Sequence, residues 1–478
     1  MDNIIYFYQY AIYFYSFALT VFYLFLLISS YFMIERKKVR YTKIEGELLL
    51  DLPERAPSIS IVAPAFNEEV IIIDNVNSLL SLNYPNFEVI IVNDGSKDKT
   101  LDLLIENFEL EETAFPYIEK VRCRPVKRVF KSVNPKFQKL LVVDKINGGT
   151  KADAMNAGVN VANYDYFINT DVDCILDQDT LTKVILPVLD SKVDVIAVGA
   201  TMRMSNGCEV EHGIMKRVRP PKGMIPTFQE TEYLRSYLLA KMGWSAFNLI
   251  PNVSGGFGLF NRHIVIEAGG YDPLSHAEDM DMTLRMVALM RENNRKYKIV
   301  QIPDTCCWTE GPPTLKVLNR QRTRWGRGLL QIFVVHRKFL FNRKYGRMGM
   351  VVLPYALFFE FMAPIIELVG FLTLIFLLFT NQINFRTFWL MLLYVYLIGI
   401  TMSLMTISYD LRIKKQYQTY SEYLKLILFS SLEAVLYHPL IVFFSLKGYW
   451  QFLTRRNFSW GAMTRQGFSN QTPAAKTA

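Results

Sequence analysis

Residues 4–34 contain no acidic or basic side chain and are dense in Tyr, Phe, Leu and Ile. About 20 apolar residues are enough to cross a hydrocarbon core of roughly 30 Å, so this run constrains the fold before anything else does. Glu35-Arg36-Lys37-Lys38-Val39-Arg40 follows at once. The preference of basic residues for the cytoplasmic side predicts an outside N-terminus and a cytoplasmic chain from residue 35. The short n-region has no positive charge and no small-residue cleavage site follows the run, so a retained helix is expected rather than a removed signal peptide. Apolar runs resume at 349–380, 387–409 and 424–453. The expected organisation is a membrane helix over 1–34, a linker over 35–57, one large cytosolic domain over 58–345, membrane or interfacial helices over 346–453 and a cytosolic tail over 454–478.

The 51% hydrophobic content is concentrated in these end segments, and much of the net charge of +9 lies beside them or between residues 120 and 145. That distribution suits membrane lipid and a polyanionic ligand such as a nucleoside diphosphate. No nucleic-acid motif accompanies it, so no nucleic acid is expected as a partner. Cys123, Cys174, Cys208, Cys306 and Cys307 form neither a C-x-x-C pair nor a zinc or disulfide spacing. Reduced thiols in a cytosolic domain fit best, with Cys306–Cys307 in or beside a buried strand.

From residue 58 the pattern alternates between β and α. Strands are predicted over Ser58–Ala63, closed by Pro64, and over Phe87–Val92, Lys139–Ile146, Tyr164–Thr170 and Asp194–Met202. Helices are predicted from about Glu69 to Leu82 and over 151–162. Short β-branched runs separated by helices indicate a parallel sheet covered on both faces, an α/β fold. Ligands of such sheets bind beyond the carboxyl ends of the strands, where Asn67, Asp94 and Asp171 all fall. Residues 110–138 read as a basic insertion, partly loop, and 203–250 resist placement.

Several short stretches there can carry chemistry, each with a plainer alternative. Asp171-Val172-Asp173 offers two carboxylates to a divalent cation on a diphosphate, although D-x-D also caps turns. Asp94 in Asn93-Asp94-Gly95-Ser96 is either an Asx-type turn or an acceptor for a nucleotide base. Asn67-Glu68-Glu69 is either a favourable acidic helix start or the floor of a nucleotide pocket. Gly148-Gly149-Thr150-Lys151 precedes a helix and suits a phosphate, yet also reads as a tight β–α turn. In His276-Ala277-Glu278-Asp279 the acids are first-turn charges or include a general base. Ser254-Gly255-Gly256-Phe257-Gly258 is a flexible turn or a close backbone approach to a chain-like acceptor, with Trp244 or Phe257 stacking on a sugar. Residues 320–328, with four arginines and Trp325, are a lipid anchor or the wall of the same site.

Taken in order, Ala63-Pro64-Ala65-Phe66-Asn67-Glu68-Glu69, Asn93-Asp94-Gly95-Ser96, Lys151-Ala152 with Asn156 and Gly158, Asp171-x-Asp173, Ala277-Glu278-Asp279 and Gln321-x-x-Arg324-Trp325 resemble the membrane-integrated family-2 glycosyltransferases. That group includes cellulose, chitin, hyaluronan and poly-N-acetylglucosamine synthases. The resemblance covers roughly residues 58–345 and implies a GT-A fold, a UDP-sugar donor, a growing polysaccharide acceptor and Mg²⁺ or Mn²⁺. It implies nucleotide-sugar binding by Pro64, Asn67, Glu68, Asp94, Lys151 and Asp171, metal binding by Asp171 and Asp173, and general-base catalysis by Asp279. Gln321, Arg324 and Trp325 match the motif that holds the diphosphate and the acceptor, with Ser254 and Gly255 beside the acceptor. Ala277 departs from the threonine that many relatives carry, and the spacing from Asp94 to Gly148 is long. The alternatives are single-sugar transfer to a polyprenyl-linked or glycolipid acceptor, and a catalytically inactive membrane scaffold.

Phe458-Ser459-Trp460-Gly461-Ala462-Met463-Thr464-Arg465 loosely resembles the segment that folds over the nucleotide in chitin and hyaluronan synthases, a gating role for Trp460, Thr464 and Arg465. A juxtamembrane aromatic and basic anchor is equally consistent. A cytosolic tail requires that one of the three C-terminal runs does not cross simply. Pro354, Glu360, Pro364 and Glu367 in the first run, and Glu433 with His438-Pro439 in the last, mark candidate breaks or pore-facing positions. The resemblance leaves room for accessory export or regulatory proteins.

Overall fold

The computed structural model describes residues 2–40 and 43–454. In chain order the strands are β1 Ile59–Ala65, β2 Phe87–Asn93, β3 Leu110–Glu112, β4 Val126–Ser132, β5 Leu140–Lys145, β6 Tyr166–Thr170, β7 Ile175–Leu176, β8 Asp194–Met204, β9 Glu209–Glu211, β10 Ile214–Arg217, β11 Phe257–Asn261 and β12 Tyr297–Thr309. All but β9 and β10, which form a separate ribbon, join one sheet in the order β3-β4-β5-β2-β1-β6-β11-β8-β12-β7. The five predicted strands and both predicted helices are present, the helices as Ile72–Leu80 and Lys151–Val161. Pro64 lies inside β1 rather than closing it, opposite Val92 of β2.

The sheet is mixed rather than all parallel, the Rossmann-like sheet of the GT-A fold. β5, β2, β1 and β6 run parallel, while β11 enters antiparallel between β6 and β8. Phe257 and Gly258, expected in a flexible turn, begin that central strand. The insertion at 110–138 contributes β3 and β4, two antiparallel strands on the β5 edge. The outermost strand, β3, is short and its exposed residues Glu111 and Glu112 are acidic, and charged side chains on an edge strand discourage pairing with another chain.

Alternation along β1 divides the core. Ile59, Ile61 and Ala63 pack against helices Ile72–Leu80 and Thr180–Leu189, whereas Val62 faces helices Lys151–Val161 and Glu278–Glu292. At Gly158 an added Cβ would strike the Val62 side chain, so glycine is what lets helix 151–161 lie flat on β1. Trp244 and Phe257, candidates for sugar stacking, are instead buried core residues; Trp244 packs edge-on against Tyr355 at 5.2 Å. Cys306 and Cys307 are buried in β12, as expected.

Among the described residues, three helices are long and apolar enough to cross a membrane: Tyr10–Lys37, Met348–Phe379 and Phe385–Ile413. The last run breaks into Tyr420–Leu436 and His438–Leu453, which meet at 51°. Pro439 sits in the first turn of the second piece, where its missing N–H costs no helical hydrogen bond. Arg203 of β8 ties the sheet to these helices, bonding Glu230 at 2.9 Å and Asp410 of the Phe385–Ile413 helix. Arg235 likewise bonds Ser403 at 2.8 Å and pairs with Glu433, so Glu433 is an inter-helix tie.

Candidate active site

Parallel strands place the ends of β1, β2, β5 and β6 on one rim, so Asn67, Asp94, Lys151 and Asp171 gather there. Because β11 runs the other way, its start is on the same rim; Phe257 is registered opposite Thr170, the residue before Asp171. Ser254, Gly255 and Gly256 are thereby brought beside the acidic pair.

Asp171, Asp173 and Cys174 present ligand atoms within 4.8 Å of one another. A hydrogen bond with Cys307, together with burial, holds the Cys174 thiol well above its usual range, which leaves the two carboxylates as donors. Two half-exposed oxygen donors fit a hard divalent cation such as Mg²⁺ or Mn²⁺. The Lys151 ammonium is paired with Asp171 and also donates to the Gly255 carbonyl at 2.6 Å. At Gly256 an added Cβ would lie 2.8 Å from the Met202 methyl and 3.5 Å from Asp171 Oδ2, so the backbone itself walls this corner.

Gly255 continues the line of contacts. Its N–H donates to Asp279 Oδ2 at 3.3 Å, and Asn252 Nδ2 donates to the same oxygen at 3.0 Å. The Met280 N–H donates to Asp279 Oδ1 at 2.8 Å, at the start of helix Glu278–Glu292. Asp279 is thus oriented by three donors and half-buried. Its neighbour Glu278 is buried, and burial raises its pKa while Arg324 opposes the rise. Arg324 is delivered by helix Leu315–Val335, which docks through Gln331: its amide donates to Leu274 O at 2.9 Å and its carbonyl accepts from His276 N at 2.8 Å. Gly328 lies flat on His276 and Ala277. The Q-x-x-R-W stretch and the Glu278-Asp279 pair are therefore parts of one site.

The arginines of 320–328 divide differently from the lipid-anchor expectation. Arg322 is buried, forks onto Glu232 at 2.6 and 2.5 Å, and lies 4.3 Å from the centre of the Trp325 ring. Burial opposes ionisation of Glu232, yet the Arg322 guanidinium holds its carboxyl below the usual range. Arg322 thus fixes the face that Trp325 presents, and it is not a surface anchor. Gln321 Oε1 is buried without a hydrogen-bond partner among the described residues.

Asp94 is held by a residue that sequence reasoning missed. Lys145, fully buried at the end of β5, bonds Asp94 Oδ1 at 2.6 Å and Asp153 Oδ2 at 2.5 Å. Gly148 N also donates to Asp94 Oδ1, at 2.9 Å. The signal available was weak: a lysine after Asp144 at the end of β5, with Asp94 at the end of the neighbouring β2 and Asp153 in the helix that follows. Asn67 adopts φ 57°, a left-handed conformation that asparagine tolerates. Its amide oxygen accepts from Lys97 N at 2.8 Å, and Glu68 N donates to Thr100 Oγ1 at 2.9 Å, stitching the loops after β1 and β2 together. Pro64 is half-buried in β1 below that loop. Asn156 is structural, bonding the Arg122 and Tyr271 carbonyls at 2.9 Å each. Trp460, Thr464 and Arg465 lie outside the described residues.

The chain is 28% identical over 294 residues to a probable glycosyltransferase, YdaM, of Bacillus subtilis (strain 168), covering 59% of each chain. The match therefore spans less than two thirds of that relative's length. The chain is also 23% identical over 354 residues to a poly-beta-1,6-N-acetyl-D-glucosamine synthase of Staphylococcus aureus (strain COL), covering 74% of this chain and 71% of that one. Among solved structures, the mannosyltransferase PcManGT from Pyrobaculum calidifontis in complex with GDP-Man and Mn²⁺ aligns with a TM-score of 0.49 and 14% identity, over 90% of this chain and 100% of that chain. A family model described as glycosyltransferase like family 2 matches residues 56–328, more than half of the chain, and the protein belongs to that family.

Proposed function

We propose that the protein transfers a sugar from a UDP-sugar to the end of a growing β-linked polysaccharide, inverting the anomeric centre, and passes the product through its own membrane helices. The observation that carries this reading is the unbroken line from Asp171 through Lys151 and Gly255 to Asp279. It sets a diphosphate-binding end a few side chains from a carboxylate that can accept a proton.

A nucleotide base and ribose fit the rim between Asn67 and Asp94. Asp171 and Asp173 would hold a divalent cation, which when bound offsets diphosphate charge. Lys151 and Arg324 add fixed positive charge where negative charge develops as UDP leaves. Asp279 Oδ faces the acceptor side and takes the hydroxyl proton as that oxygen attacks the anomeric carbon; such a base typically contributes on the order of 10²–10⁴-fold. Trp325, held flat by Arg322, offers a ring face to the acceptor sugar. Likeness to a poly-N-acetylglucosamine synthase makes UDP-N-acetylglucosamine the first donor to test, with UDP-glucose and UDP-glucuronate beside it.

Purified protein incubated with these donors and Mg²⁺ or Mn²⁺ is expected to release UDP and form polymer. Asp279→Asn and removal of the cation by chelation should each abolish release. A product of only mono- or disaccharide lipid would replace the polymerase reading by single-sugar transfer, and UDP release unchanged in Asp279→Asn would remove the catalytic assignment.

A further inference from the structure

A cavity of about 330 Å³ lies away from the rim, between the end of helix Tyr10–Lys37, helix Thr180–Leu189 and β12. Its lining includes Arg36, Lys37, Lys298 and Arg347, with Asp190 as the one acid among the lining residues. Arg36, Lys298 and Arg347 form no ion pair among the described residues, whereas Lys37 is paired with Asp304.

The depth of the cavity follows from the helices that bound it. Lys37 is the last residue of one candidate span, and Met348, next to Arg347, is the first of another. Two apolar helices therefore enter the membrane at the cavity mouth, which puts its cations at headgroup level. Its other wall is apolar: Met33 and Phe247 line it, and Phe247 stacks on Phe25 at 5.1 Å. Phe25, Ile28 and Phe32 continue from there as an outward apolar face of the same helix. Exposed, unpaired cations around an open pocket, joined to an apolar stripe, match a ligand with a phosphate at one end and acyl chains at the other.

We infer that this cavity binds the phosphate headgroup of an anionic phospholipid, with its acyl chains along the Phe25–Phe32 face. The site lies apart from the transfer chemistry, so it stands whether or not the proposed polymerase reading holds. It links β12 of the sheet to two membrane helices through one shared lipid.

Native mass spectrometry of the purified full chain tests this with phosphatidylglycerol, phosphatidylcholine and soluble glycerol phosphate as probes. Phosphatidylglycerol should be retained in preference to phosphatidylcholine. Lys298→Ala with Arg347→Ala should lower that retention on the order of 30-fold, the effect of about 1 kcal/mol per basic residue at an anionic surface. Arg343→Ala, an exposed cation outside the cavity, should leave it unchanged. Equal retention of the two lipids, or undiminished phosphatidylglycerol in the double variant, overturns the inference. Displacement by glycerol phosphate at equal concentration assigns the cavity to a soluble phosphate ester and overturns the lipid. The melting temperature reports whether the double variant is folded, and Lys298→Ala alone, at an exposed strand position, serves if it is not.

Discussion

Gly326 and Gly448 meet where helix Leu315–Val335 crosses helix His438–Leu453. An added Cβ at Gly326 would lie 2.7 Å from the Ser445 carbonyl oxygen, and one at Gly448 would run into the Thr323 carbonyl. Each helix uses a glycine to let the other's backbone approach, and Arg324 and Trp325 lie between Thr323 and Gly326. The bent last helix pair thereby sets the height at which the Q-x-x-R-W stretch meets Asp279.

Substituting Gly326→Ala should separate these helices, because the obstacle is backbone and no rotamer change removes it. The expected destabilisation is about 1–3 kcal/mol, as for other overpacked contacts. UDP release should fall more than the melting temperature of the detergent-solubilised protein indicates, since Arg324 moves with the helix. Wild-type turnover with a lowered melting temperature would show that the crossing does not position the site.

Arg324→Lys keeps the charge beside Glu278 but loses the planar fork. Transfer should fall on the order of 10²-fold, comparable to losing one fixed donor to developing negative charge. Membrane insertion and thermal stability should be unchanged. Full activity would remove Arg324 from the diphosphate-binding role.

Lys145→Met leaves Asp94 and Asp153 as buried carboxylates without their shared cation. Removing one partner of such a group costs about 3–5 kcal/mol. Melting temperature and UDP affinity, read by calorimetry, should both drop. Adding Asp153→Asn removes one of the uncompensated charges and should recover part of the stability. A double variant no more stable than the single one would mean that the two acids do not depend on Lys145.

His276 supplies a pH dependence. Burial, with Arg327 and Arg324 beside it, pushes its pKa from 6.5 down to about 4. Between those values the unfolded chain takes up a proton that the folded chain refuses, so stability rises with pH across that window and is lost as pH falls from 6.5 toward 4. His276→Gln should therefore shrink the fall in melting temperature over that range. Parallel curves for the two proteins would rule His276 out as a contributor.

Much of the site was legible because its residues stand at strand ends, and strand ends follow from short β-branched runs closed by polar residues. Asp94 and Asp171 were placed at the rim this way, as were the boundaries of β2 and β5 to within a residue, whereas Asp279 was singled out at a helix start, Glu278–Glu292, through the family resemblance. Sequence pattern was poorest where a residue's role depends on a distant partner. Phe257-Gly258 looked like loop because glycine weakens any strand pattern, yet the slot between β6 and β8 makes it a central strand. Arg322 and Arg324 are two residues apart and chemically identical, but one points at Glu232 and Tyr437 and the other toward Glu278. Trp244 read as a sugar platform because an aromatic residue is amphipathic, and only packing against Tyr355 showed it to be core.

Local order in the chain determined the apolar spans, the alternating β and α segments and the list of acids available for chemistry, because each depends on residues within one turn or strand. Tertiary structure decided which of those acids share a site. The antiparallel insertion of β11 brings Gly255 between Lys151 and Asp279, and the break at Tyr437 lays helix His438–Leu453 against the helix that carries Arg324. Both depend on contacts between residues far apart in the chain, 87 positions for Thr170 and Phe257, whose strength comes from burial and fit that no local pattern encodes.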